Sequence, residues 1–195
     1  MSGTISKTNK KTAFDILDIQ DFNDRIVGAY NNGTAEEGLP ADITTSRSLI
    51  PAGTGVLRDF SYIAPDIPRF TSENCVACME CVTQCPDTAI LGKAIPESQL
   101  DKTIEKLNSG DIKGWISEQW ADTNKFSKVP KKQGKEPARF GIFIDPTKCK
   151  GCAECVDACG EHEALSMISK IDNTVPIYQE AFDFFTSLGD TPSEY

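Results

Sequence analysis

The chain has 195 residues, 39% of them apolar and 25% charged, with 20 basic against 29 acidic side chains and a formal charge of −9. That length suits one domain, or one small domain with extensions. The acidic balance argues against nucleic acid as a partner, because phosphate binding needs clustered positive charge, and no apolar run approaches the roughly 18 residues of a membrane span.

Residues 1–12 are rich in Ser, Thr and Lys and lack the apolar core of a secretory signal, so a disordered tail is expected. Without an export signal, the expected compartment is the cytoplasm, and eight cysteines there point to metal before disulfides. Residues 13–70 form an N-terminal arm suited to docking. Within it Phe14, Ile16, Leu17, Ile19, Phe22 and Ile26 partly fit a short helix. "NNGTAEEGLPAD" is a loop by its Asn, Gly and Pro content. "LIPAGTGVLRDFSYIAPDIPRF" predicts an extended segment with little regular structure. Residues 71–170 hold two cysteine boxes around an insert at 91–139. Leu100, Ile104 and Leu107 make a helical stripe there, and Ile112, Trp115, Ile116 and Trp120 make a second. "KFSKVPKKQGKEP" predicts a Lys-rich loop. "RFGIFID" alternates Phe140, Ile142 and Ile144 as a strand does, and "ALSMIS" is a closing strand. Residues 171–195 are a C-terminal helix and tail, with Pro176 near the helix start, Gly189 at its stop, and Ile177, Ala181, Phe184, Phe185 and Leu188 on its apolar face.

The boxes carry the chemistry. Cys75, Cys78, Cys81 and Cys85 repeat as Cys149, Cys152, Cys155 and Cys159, both spaced C-x2-C-x2-C-x3-C. The eleven-residue boxes share six identities, the four cysteines plus Glu80/Glu154 and Val82/Val156. An extended piece leads into each, and an apolar pair follows (Ala89-Ile90, Ala164-Leu165), so a duplication with pseudo-two-fold symmetry is expected. Three cysteines on one tight turn converge on three irons of a [4Fe–4S] cube. The fourth, entering a helix that points away, reaches the other cube. The spacing therefore predicts crossed sets: Cys75, Cys78, Cys81 and Cys159 for one cluster, Cys149, Cys152, Cys155 and Cys85 for the other. Pro86 fixes the approach of Cys85, whereas the second box has Gly160 there. Structural zinc uses C-x2-C pairs and would not ask for a third cysteine so close. Purely structural clusters stand as the alternative to electron transfer. Two such clusters would take the formal charge to about −13, which biases their potentials downward. Crossed ligation would tie the boxes into one core and leave residues 86–148 free to reach a partner.

The flanks add a resemblance. "IPAGTGVLRDFSYIAPDIPRFTSENCVACMECVTQCPDTAI" resembles the ferredoxin-type domain of pyruvate:ferredoxin oxidoreductases, with Pro51, Gly53, Thr54, Ile67, Pro68 and Phe70 matching its pattern. The long insert, "EHEALSM" and "VPIYQEAFDFF" are similar too, so the resemblance spans roughly 50–185. It implies an α+β fold: a bacterial-type two-[4Fe–4S] ferredoxin-like core with an N-terminal extended arm, a helical insert between the boxes and a C-terminal helix. The chain has no Gly-Asp-Gly with a following Asn-Asn run, and so no thiamine diphosphate signature. The resemblance then implies an electron-transfer subunit with no catalytic residues of its own. Partner subunits of a 2-oxoacid:ferredoxin oxidoreductase would carry thiamine diphosphate, Mg2+ and coenzyme A, and ferredoxin would be the redox partner. A relay subunit of another large redox complex and a free diffusible eight-iron ferredoxin are the alternatives.

Outside the boxes, Trp115 and Trp120 suit helix packing or a subunit interface. Phe182, Phe184 and Phe185 suit the chain's own core or docking. Lys125, Lys128, Lys131, Lys132 and Lys135 form a solvated loop or a site for an acidic ferredoxin. His162, the single histidine, is not needed as a ligand beside eight cysteines.

Overall fold

In the computed structural model of the chain, residues 19–39, 45–52, 54–57, 59–107 and 110–195 are described. The expected tail at 1–12, together with Phe14, Ile16, Leu17 and Gly53, lies outside them. The chain divides into two units, Met1–Arg58 and Asp59–Tyr195.

In the first unit, α1 (Ile19–Phe22) continues through a wider turn, Asn23–Val27, into α2 (Gly28–Asn31). The expected short helix is present from Ile19 onward. Asp21 and Arg25, one turn apart, pair at 3.0 Å, while Ile26 and Ala29 are buried. The stretch read as a loop holds one helical turn, α3 (Ala35–Gly38).

The second unit is organised by two crossed strand pairings. β1 (Asp66–Phe70), leading into the first box, pairs antiparallel with β5 (Leu165–Ser169), which leaves the second. β2 (Ile90–Pro96), leaving the first box, pairs antiparallel with β4 (Ala138–Ile144), which leads into the second. β3 (Trp120–Ala121) lies on the far side of β4. The box helices α4 (Glu80–Gln84) and α8 (Glu154–Cys159) pack against each other. Mixed helix and antiparallel sheet make the fold α+β.

β4 is buried on both faces. Phe140, Ile142 and Ile144 join the core that contains the cysteines, as their alternation predicts, whereas Phe143 enters a second core on the opposite face. That second core is built by the insert and the C-terminal helix. α5 (Glu97–Glu105) supplies Leu100 and Ile104, α6 (Gly110–Glu118) supplies Ile112 and Ile116, and α9 (Thr174–Ser187) supplies Ala181, Phe184 and Phe185. The insert is therefore not free to reach outward as an arm: its apolar stripe is spent on the chain's own sheet. Phe184 and Phe185 are core residues, with Phe182 half-buried beside them. Lys93 donates to the carbonyls of Phe185 and Leu188 at 3.2 and 2.9 Å, satisfying the end of α9 with a cation.

Two further readings change. Trp115 and Trp120 do not share a helix, because α6 stops at Glu118. Trp115 meets Tyr178 at 5.1 Å, and Trp120, in β3, meets Phe143 at 5.4 Å. The Lys-rich loop is helical over Asn124–Lys128 and α7 (Val129–Lys132). Buried anchors explain this. Thr123 Oγ1 accepts from Phe126 N–H, Ser127 Oγ donates to the Ala138 carbonyl at 2.7 Å, and Phe126 stacks on Phe140 at 5.5 Å. The lysines stay outside.

Phe185 is fully buried and stacks on Phe143 at 4.8 Å. Truncating Phe185→Ala is expected to lower unfolding stability by about 3–5 kcal/mol, read from a urea titration; a loss below about 1 kcal/mol would show that the second core does not hold the sheet.

Candidate functional site

Each box begins on a turn. Ahead of the first, the N–H of Cys75 donates to the Ser72 carbonyl at 3.1 Å; ahead of the second, the N–H of Cys149 donates to the Asp145 carbonyl at 3.0 Å. The backbone then makes the same unusual excursions in both copies. Ala77 and Gly151 stand at φ 61° and 70°, and Met79 and Ala153 at 68° and 66°. These left-handed residues bend the chain tightly enough for three thiols to face one side. At Gly151 a side chain is also barred by space, since a Cβ would stand 2.9 Å from the Asp66 carbonyl of β1. The box thus packs directly on the incoming strand of the other copy.

The exits match as well. Ala89 N–H donates to Cys85 Sγ at 3.2 Å, and Ala164 N–H donates to Cys159 Sγ at 3.3 Å. One loop closes over four residues and the other over five. The extra residue explains the missing proline. Gly160 adopts φ 51° and ψ −129° to absorb it, a conformation that the ring of Pro, locked near −65°, cannot reach.

Two cavities result. One is lined by Cys75, Cys78, Cys81 and, from the other box, Cys159. The other is lined by Cys149, Cys152, Cys155 and Cys85. Each has about 350 Å³ of space unfilled by protein, including its open mouth, so the two are matched in size. All eight cysteines are brought to these cavities, and none is in a disulfide. Among the described residues, no three His, Cys, Asp or Glu side chains form a group that could hold a single metal ion. Four thiols around a space rather than a point suit a polynuclear group. Cys78 and Cys152 are exposed, at the mouths. His162 lies on the rim of the first cavity and is exposed.

The electrostatics agree with a thiolate-binding group. Burial pushes the thiols of Cys75 and Cys149 up, and those of Cys81 and Cys155 up to about 12. Neighbouring thiols add to this; Cys159 is one such neighbour of Cys75 and Cys81, and Cys85 of Cys149 and Cys155. In a lining of Pro68, Ala89 and Ile90, or of Phe140, Ile142 and Leu165, thiolates need a cationic centre between them. Backbone N–H groups supply part of the compensation, including Ala77 to Cys75 Sγ at 3.4 Å.

One pair escaped the sequence reading. Lys150 Nζ meets Asp87 Oδ2 at 2.8 Å beside the second cavity. Aligning the two copies offers a signal for it, because Val76 stands at the position equivalent to Lys150 and Glu161-His162 span that of Asp87.

No family model matches the chain. It is 26% identical to a probable pyruvate-flavodoxin oxidoreductase of Escherichia coli strain K12, over 86% of this chain and 13% of that protein. It is 24% identical to a pyruvate:ferredoxin oxidoreductase of Moorella thermoacetica, over 91% of this chain and 14% of that one. A pyruvate dehydrogenase [NADP(+)] of Cryptosporidium parvum is 24% identical over 88% of this chain and 8% of its own length. The chain thus corresponds to a small region of much longer pyruvate oxidoreductases. No helix among the described residues is long and apolar enough to cross a membrane.

Exchanging the exit residues tests the loop geometry. Gly160→Pro is expected to cost about 3 kcal/mol or more, against about 0.5–1 kcal/mol for Pro86→Gly, both read by denaturant titration. Equal costs would contradict the conformational difference between the exits.

Proposed function

We propose that the chain carries two [4Fe–4S] clusters and relays electrons between the thiamine diphosphate-dependent part of a pyruvate-type 2-oxoacid oxidoreductase and ferredoxin. The observation that carries this reading is the lining of each cavity by four thiols, three from one box and one from the other. When bound, such clusters accept and pass on single electrons. The chain's own residues hold and insulate them. Cys75, Cys78, Cys81 and Cys159 would ligate one; Cys149, Cys152, Cys155 and Cys85 the other. Phe140 and Ile142 on one side and Pro68 and Ile90 on the other exclude water, and N–H groups of Ala77, Ala89 and Ala164 point at the sulfurs.

The packing of α4 on α8 keeps the two sites close, with Cys81 a charge neighbour of Cys155. Thiamine diphosphate, Mg2+ and coenzyme A belong to the partner chains in this reading, and the complex is a cytoplasmic hetero-oligomer. The relatives' names support the pyruvate assignment. The exposed Lys125, Lys128, Lys131, Lys132 and Lys135 offer an acidic ferredoxin a positive surface on an otherwise acidic chain.

An anaerobic preparation is expected to contain about eight irons and eight sulfides per chain, with both clusters titrating below about 0 mV. Absence of iron would overturn the reading, and potentials both above that value would remove the low-potential role. Purification with thiamine-binding chains is expected; a lone monomer would favour the diffusible carrier. Reversing Lys131→Glu and Lys132→Glu is expected to slow ferredoxin reduction about tenfold at low salt and to flatten its salt dependence; unchanged salt dependence would remove the lysines from the docking surface.

A further inference from the structure

The two cavities are matched in thiols and size but not in how their fourth thiol is held. Cys85 is followed two residues later by Asp87, and Cys149 is followed directly by Lys150. The ion pair between them, 2.8 Å long, joins the segment leaving the first box to the segment opening the second. These are the segments that must come together for Cys85 to stand opposite Cys149, Cys152 and Cys155. Both charged residues line that cavity. The Asp87 side chain is only 9% exposed and that of Lys150 is 40% exposed.

Among the described residues the other cavity has no charged counterpart; the link there is an exposed neutral one, Asn74 Nδ2 donating to the Glu163 carbonyl at 3.3 Å. Val76 replaces Lys150, and the longer exit puts Glu161 and His162 where Asp87 stands, all three exposed and only His162 of the exit pair lining the cavity. A valine cannot pair with the carboxylate. Its exit loop is one residue longer and runs through Gly160. Cys159 is therefore held by its N–H contact, the strand that follows, α8 and the Asn74–Glu163 hydrogen bond, a neutral link across the boxes in place of a charge clamp.

We propose that Lys150 and Asp87 are positioning residues that brace Cys85 in the second box's cavity, so that the cluster bound there is retained more tightly than its twin. The inference rests on the two-cluster reading above. Removing the cation of an ion pair whose carboxylate is nearly buried costs more than removing one from an exposed surface pair, because the carboxylate loses compensation that water does not replace. Here that charge would stand beside a cluster that is itself negative. Loss of Lys150 thus weakens the hold on Cys85 and makes electron addition harder at this site alone. Lys148 and Glu154 also line the cavity and Lys170 acts on Cys149, so the local field is not abolished by one substitution.

The test follows iron release from the anaerobically purified chain to an excess of a chelator, alongside a potentiometric titration read by electron paramagnetic resonance. The natural chain is expected to lose iron in two phases of about four irons each. Lys150→Met is expected to speed the slow phase about tenfold and leave the fast phase unchanged, the latter reporting that the fold is intact. Lys150→Arg restores the slow phase. Lys150→Met moves one cluster's potential downward, and Asp87→Asn moves the same one upward, with the other cluster fixed. Single-phase release from the natural chain, equal acceleration of both phases, or unmoved potentials would overturn the brace. A natural chain without iron–sulfur absorption fails at the earlier step and sinks the two-cluster reading along with it.

Discussion

The strand leading into each cysteine box is hydrogen-bonded to the strand leaving the other. β1 lies beside β5 and β2 beside β4, in the registers Phe70 to Leu165 and Ile90 to Ile144. Neither box can complete its own surroundings under this constraint. The exit of one is carried to the opening of the other, and Cys85 and Cys159 travel with it. The lining of each cavity by three thiols of one copy and one of its twin follows from the pairing. So does the contact of Gly151 with the Asp66 carbonyl, which leaves no room for a side chain.

A two-stranded pairing alone is a marginal support in water. The chain meets this on the β2–β4 side by adding β3 and by burying the reverse face of β4. Phe143, fully enclosed by Ile95, Leu100, Ile116 and Phe185, joins the sheet to the helices of the insert and to α9. Arg139 extends the fastening at the surface, through Glu97 at 2.8 Å and Asp101 at 3.7 Å. The insert that separates the boxes in sequence thus stiffens one of the two pairings that bring them together in space. Its helices hold the second box's incoming strand, the one that delivers Cys149.

Much of this was legible in the residues. The cysteine spacing marked the eight residues that line the two cavities. The alternation of Phe140, Ile142 and Ile144 anticipated β4, and Thr174–Ser187 falls where the apolar stripe of the last helix was read. The misses have physical causes. β2 was hidden because "ILGKAIP" mixes Gly, Lys and Pro; its strand character comes from pairing with β4, and Pro96 is tolerated at its end. Trp120 fits the helical period of Trp115, but pairing with Gly141 draws it into β3. The lysines masked the buried Phe126 and Ser127, which set that segment's conformation. The Lys150–Asp87 pair joins residues 63 positions apart, a distance no local pattern reveals.

Crossed ligation is the claim on which the account turns, and thiol mapping reaches it directly. In an anaerobic Cys159→Ser chain treated briefly with an alkylating agent and then digested for mass spectrometry, the account predicts new labelling at Cys75, Cys78 and Cys81, with Cys149, Cys152 and Cys155 still protected. Labelling of Cys149, Cys152 and Cys155 instead would mean that each box completes its own site, and the crossed assignment would be wrong.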